Sequence, residues 1–226
     1  CIILIVIFIP KWQPKSIDNK HLNESKLSTV WKNPLFKSLV PMGFFSYGGL
    51  FAIQTLWAGP WMIRVSGYTP EESAQGLFII YLCMLISFLV WGYFVPKFSK
   101  NVNDAIRLLK IGAPLSLCVL MLIIYLGPKA GSIHWALFIV SSIFLSLTQP
   151  AVGMAFSISN AGKALTSFNL LIFIGAFFIQ WIIGLIIDAG IAFNLSEIDS
   201  FKVAMTFVLI TSLLSYLFFL RKVKIN

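Results

Sequence analysis

Long apolar runs separated by short polar turns make up most of this chain. A polar, Lys-rich stretch over 11–36 is followed by six apolar stretches at about 37–63, 73–95, 105–127, 133–156, 164–187 and 200–220. Each, at roughly 20 residues, is long enough to cross a bilayer as a helix. The breaks carry turn residues, as in Ser66-Gly67-Tyr68-Thr69-Pro70 and Gly127-Pro128-Lys129-Ala130-Gly131. Period-two alternation is absent, which argues against a transmembrane barrel. The pattern predicts an all-α integral membrane protein, a six-transmembrane-helix bundle over 37–220.

The flanks read differently. Residues 1–10, from Cys1 to Pro10, are apolar but would rise only about 15 Å as a helix, half of a bilayer core of about 30 Å. No basic segment precedes them and no small-residue cleavage site follows, so they do not read as a signal peptide. They read as the end of a truncated transmembrane helix, and the chain as a fragment. Residues 11–36 read as a basic cytoplasmic linker and 221–226 as a basic cytoplasmic tail. Inside the linker, Ser28 is placed to cap a short helix with Leu27, Trp31 and Leu35 on one face. That segment is either a helix lying on the membrane, drawn to anionic lipid, or a solvated linker.

Composition supports the membrane assignment. Hydrophobic residues are 58% and charged residues 11% of 226, against about 45–50% and about 25% in soluble chains; mean hydropathy is +0.90. The net charge of +9 would raise nucleic acid as a partner of a soluble protein. Here it sorts by topology instead. Segments 11–37, 96–110, 157–163 and 221–226 hold 14 of the 17 Lys and Arg residues, and the other side holds only Arg64, Lys129 and Lys202. The positive-inside rule makes the basic side cytoplasmic, which predicts a multi-pass protein with a cytoplasmic C-terminus and no nucleic-acid partner. Trp12, Trp31, Trp61, Trp91 and Trp135 fall at expected interfaces, and Trp57 and Trp181 deeper.

Several chemistries lack their residues. Cys1, Cys83 and Cys118 are far apart and within apolar spans; His21 and His134 have no ligand partners at metal-binding spacing. No hydrolase, zinc-protease or phosphate-loop motif occurs. No enzyme, metal or cofactor is expected. All charges map to loops or span ends, so no mid-membrane carboxylate is available as a proton relay.

Polar residues do recur at helical spacing inside three spans. The first carries Tyr47, Gln54 and Trp61, with Trp57 one turn before Trp61 and Gly48-Gly49 as a flexible or close-packed point. The fourth carries Ser142, Ser146, Gln149 and Gly153, with Pro150 as a kink. The fifth carries Thr166, Asn169, Phe173, Ala176 and Gln180. An amide facing lipid is costly, so these stripes face either a solute-binding cleft or another helix as hydrogen-bonding glue. Gly153, Gly175 and Gly184 read as close-packing points.

Two stretches carry a family likeness. One is Gln54-Thr55-Leu56-Trp57-Ala58-Gly59-Pro60-Trp61-Met62 with the turn Gly67–Glu72. The other runs from Ala161 through Asn169 to Phe173, Trp181, Gly184 and Asp188. The sequence resembles the C-terminal half of a major facilitator superfamily transporter. The resemblance implies a missing N-terminal six-helix half, alternating access by rocking of the two halves, and a central cavity lined by the first and fourth spans. It implies a secondary active or facilitative permease for a small solute, alone or with H+ or another coupling ion. The residues implied in substrate binding are Tyr47, Gln54, Trp57, Gln149, Asn169 and Gln180. At the cytoplasmic loop after the second span, the family's acid is replaced by Pro96, so any gating contact by that acid is in doubt here. The competing reading is a six-span membrane partner or sensor module that binds another protein through 11–36.

Overall fold

A computed structural model describes residues 27–223. The expected stub over 1–10, most of the 11–36 segment with Trp12 and His21, and the end of the tail lie outside the described residues. Seven helices follow one another: α1 (Leu27–Lys32), α2 (Pro34–Arg64), α3 (Pro70–Phe98), α4 (Val102–Leu126, continued by a 3₁₀ turn at Gly127–Lys129), α5 (Ser132–Met154), α6 (Ile158–Ala192) and α7 (Glu197–Lys222). Helices α2 to α7 are each long and apolar enough to cross a bilayer, which makes this a multi-pass membrane protein. Apart from α5, which stops at Met154, they extend a few residues beyond the apolar runs, and side-chain caps rather than hydropathy set the starts of α2, α3, α4 and α7.

The caps are local and legible. Thr69 accepts a hydrogen bond from the Glu72 amide while Glu72 Oε2 accepts from the Thr69 amide, closing a capping box with Pro70 at the first helical position. Asn101 and Ser196 cap α4 and α7 in the simpler way. Gly67, with φ 74°, makes the turn before α3 in a conformation that favours glycine. At the start of the described chain the expectation for Ser28 is corrected. Ser28 lies inside α1, and the capping residue is Asn33, whose Oδ1 accepts from the Phe36 amide at 3.1 Å. Pro34 holds Asn33 in an extended conformation, so α1 stops at Lys32 and Leu35 belongs to α2.

The bundle is tied at both ends. At one end the Arg64 guanidinium lies 3.7 Å from Glu197, and the Trp61 indole and the Ser66 hydroxyl both donate to the Ala130 carbonyl. At the other, Lys110 Nζ donates to the Val223 carbonyl and the Tyr216 hydroxyl to that of Lys110. An even number of crossings brings the two termini of the bundle to the same end. Trp61 and Trp135 lie at the end that carries the 127–131 turn. Both are fully buried, ring centroids 5.6 Å apart and edge to face, because the 127–131 turn folds over them.

Helix α6 packs against α2 and α7, α4 against α5 and α7, and α3 chiefly against α5. At the α2–α6 crossing backbone meets backbone. A Cβ on Gly48 would come within 2.8 Å of the Ala176 amide nitrogen, and one on Gly175 within 2.3 Å of the Phe44 carbonyl oxygen. Glycines here let two backbones meet, as small residues do in membrane helix packing. Buried serines join α2 to α7: the Ser46 and Ser215 hydroxyls are 2.9 Å apart, and the Ser215 hydroxyl donates to the Ser212 carbonyl.

Candidate functional site: a polar cavity between α2, α3 and α5

A cavity of about 100 Å³ lies near the middle of three helices. Tyr47, Leu50, Phe51 and Gln54 line it from α2, Met84 and Phe88 from α3, and Ile139, Ser142, Ile143 and Ser146 from α5. Its wall is mostly apolar, with four polar side chains and no charge. That volume holds a few waters or a small group.

The polar four differ in what they bond to. The Ser142 hydroxyl donates to the Phe138 carbonyl at 2.6 Å. The Ser146 hydroxyl donates to the Ile143 carbonyl and accepts from the Trp91 indole at 3.2 Å, with Trp91 edge-on to Phe144. Tyr47 is buried and stacked on Phe51 at 5.3 Å. Neither its hydroxyl nor the half-buried Gln54 amide has a hydrogen-bond partner among the described residues.

All four sit where their helices leave α geometry. Helix α2 contains two π-helical stretches, Met42–Tyr47 and Ile53–Trp57, with the Gly48 amide bonding back to Gly43 and that of Ala58 to Ile53. Pro60 follows the second and cannot donate to the Leu56 carbonyl. Helix α5 winds as a 3₁₀-helix over Ser142–Leu147, just before Pro150, which leaves the Ser146 carbonyl without its α-helical donor. Such departures within long helices often accompany function or strain.

This geometry redistributes the six residues expected in substrate binding. Tyr47 and Gln54 face the cavity. Gln149 does not: its Nε2 donates to Asn169 Oδ1 at 2.9 Å, bridging α5 and α6. A 3₁₀ stretch advances about 20° more per residue than an α-helix. Over six residues that turns Gln149 about 120° away from Ser142. Trp57 and Gln180 form a second bridge, between α2 and α6: the Trp57 indole donates to the Gln180 carbonyl at 3.2 Å, and Gln180 Nε2 donates to Thr55 Oγ1 at 2.8 Å. Trp57 also lies against Gly184 and Phe201. The sequence stripes thus separate into a pair at the cavity and four residues bonded between helices.

Two polar residues outside the expected set complete this region. The Tyr81 hydroxyl donates to the Gln54 carbonyl at 2.7 Å, and Thr55 is exposed beside it, donating to Phe51. Thr55 was hidden by its place one residue from Gln54, off the stripe. Its signal is pairing with Gln180 across the crossing, which the sequence does not display. Comparison with protein families, with curated proteins and with solved structures finds no match to this chain.

Proposed function

We propose that this chain forms the C-terminal six-helix half of a major facilitator-type transporter, secondary active or facilitative, which moves a small solute by alternating access. The observation that carries the proposal is the pair of unbonded polar groups, the Tyr47 hydroxyl and the Gln54 amide, in one mid-bundle cavity. Polar residues that serve as helix glue are bonded to a neighbouring helix, as Gln149, Asn169 and Gln180 are. Tyr47 and Gln54 are not, and their partners are then a solute or water. The exposed Thr55 and Tyr81 extend this polarity to the bundle surface, where lipid is a poor neighbour and a wet cleft against a second half a good one. The cavity carries no charge, so the solute it contacts here is neutral or presents a neutral part. The protein acts without chemistry on that solute, in a bacterial inner membrane with its C-terminus cytoplasmic.

Thiol accessibility tests the site before the solute is known. With Cys1, Cys83 and Cys118 replaced by serine, Gln54→Cys and Ser142→Cys should react with a membrane-impermeant methanethiosulfonate, as Lys129→Cys does in its exposed turn. Complete protection at both cavity positions, with Lys129→Cys labelled, would show a dry and closed region and refute the cleft. In uptake assays of the complete transporter, Gln54→Ala and Tyr47→Phe should lower transport more than Gln149→Ala does at equal protein level.

A further inference from the structure

At the end of the bundle where α2 begins and α7 ends, an open pocket of about 460 Å³ is lined by Lys32, Pro34, Lys37, Ser38, Phe218 and Lys222. Three lysine side chains line it, and none has a carboxylate partner among the described residues. The one ion pair among those residues, Arg64–Glu197, is at the opposite end. Asp104, the only described acid at this end, bonds the Lys100 amide and closes the start of α4. Helix electrostatics suit Lys32, in the last turn of α1, but do not explain the whole cluster. Lys222 is in the last turn of α7, where a cation suits the helix dipole, but Lys37 is at the start of α2, where the dipole is positive and a cation is unfavourable. Among the described residues the cluster has no counter-charge, which leaves a place for an anionic ligand.

The surroundings indicate what kind. Lys222 Nζ lies 5.9 Å from the Phe218 ring. Below it Ile210, Leu214, Leu217 and Phe218 are exposed on α7, spaced at i, i+4, i+7 and i+8, so they form one apolar lane leading from the pocket into the membrane. A cationic cradle over an apolar lane fits an amphipath with a negative head. We propose that Lys32, Lys37 and Lys222 bind the phosphate of an anionic phospholipid whose acyl chain lies along the Ile210–Phe218 face of α7.

The test uses the full chain in neutral detergent with phosphatidylglycerol or phosphatidylcholine added, bound lipid being counted by native mass spectrometry. Phosphatidylglycerol should be retained preferentially, and each of Lys32→Gln, Lys37→Gln and Lys222→Gln should weaken its binding roughly five-fold. Neutralising Lys97, Lys100 and Lys129 together should leave it unchanged. Inorganic phosphate at millimolar concentration should not displace the lipid, and Leu214→Ser should weaken lipid binding while leaving the lysines in place. Equal retention of the two lipids, equal loss in the control variant, or displacement by inorganic phosphate would each overturn the proposal; the last would assign the site to a free anion. Each variant is read on protein that elutes from size-exclusion chromatography as the wild type does.

Discussion

Replacing Gly175 by alanine should force α2 away from α6. The new Cβ would sit 2.3 Å from the Phe44 carbonyl oxygen and 2.9 Å from its carbonyl carbon and Cα. Optimal carbon contacts lie at roughly 3.5 Å or beyond, so relief needs a shift of about 1.2 Å. The obstructing atoms are backbone and cannot rotate aside, and Gly48 meets Ala176 on the same crossing. Overpacking against backbone that cannot rotate aside falls at the upper end of the usual range, about 2–3 kcal/mol, partly offset by the roughly 1 kcal/mol that alanine gains over glycine within a helix. A net loss of about 1–2 kcal/mol should lower the melting temperature by about 2–8 °C for a chain of this size. Thermal denaturation of detergent-purified protein, followed by size-exclusion chromatography of heated samples, measures it. Gly92→Ala is the control, since nothing lies within 4 Å of its Cβ, and it should be neutral or stabilising. Because α2 carries Tyr47 and Gln54, the same displacement should disturb the cavity. A Gly175→Ala variant that melts at or above the wild type would refute the close approach of the two backbones.

Gln149→Leu and Asn169→Leu should each lower stability, and their double-mutant cycle should give a coupling of about 0.6–1.7 kcal/mol; a coupling of zero would mean that the 2.9 Å contact holds nothing together. In the cysteine-free background, Lys129→Cys and Lys100→Cys should be labelled by an impermeant thiol reagent from opposite faces of the membrane. Labelling of both from one face would break the six-crossing arrangement.

The existence of six spans was legible because a bilayer imposes a length that apolar runs display directly. Their ends were legible only to within a few residues, since Thr69, Asn101 and Ser196 capture amides beyond the apolar runs. The cavity was legible in half. Tyr47 and Gln54 lie seven residues apart, and Ser142 and Ser146 four, spacings that a uniform α-helix keeps on one face, and both pairs line the cavity. Elsewhere, over intervals no longer than these, uniform spacing fails because the winding changes. The 3₁₀ winding turns Gln149 toward Asn169, and the second π-helical stretch intervenes between Gln54 and Trp61, which buries itself against Trp135. Pro60 and Pro150 mark where amide donors are missing, but a proline alone does not say which winding the neighbouring carbonyls adopt. The pairing of the Trp61 and Trp135 rings depends on the 127–131 turn closing over them, a tertiary event with no counterpart in local pattern.

The two π-helical stretches of α2 enclose a short α-helical piece, Gly48–Ala52, between Tyr47 and Gln54. Each π turn holds one residue more than the α-helix needs. If one turn tightened by a residue while the other loosened by one, the piece between them would advance by a single helical step, about 1.5 Å along and about 100° around the axis. Both outer ends of α2 would stay in register. The helix thus has the geometry of a ratchet with a fixed frame: its middle can present a different face to the cavity without disturbing the tie between Arg64 and Glu197 or the cap at Asn33.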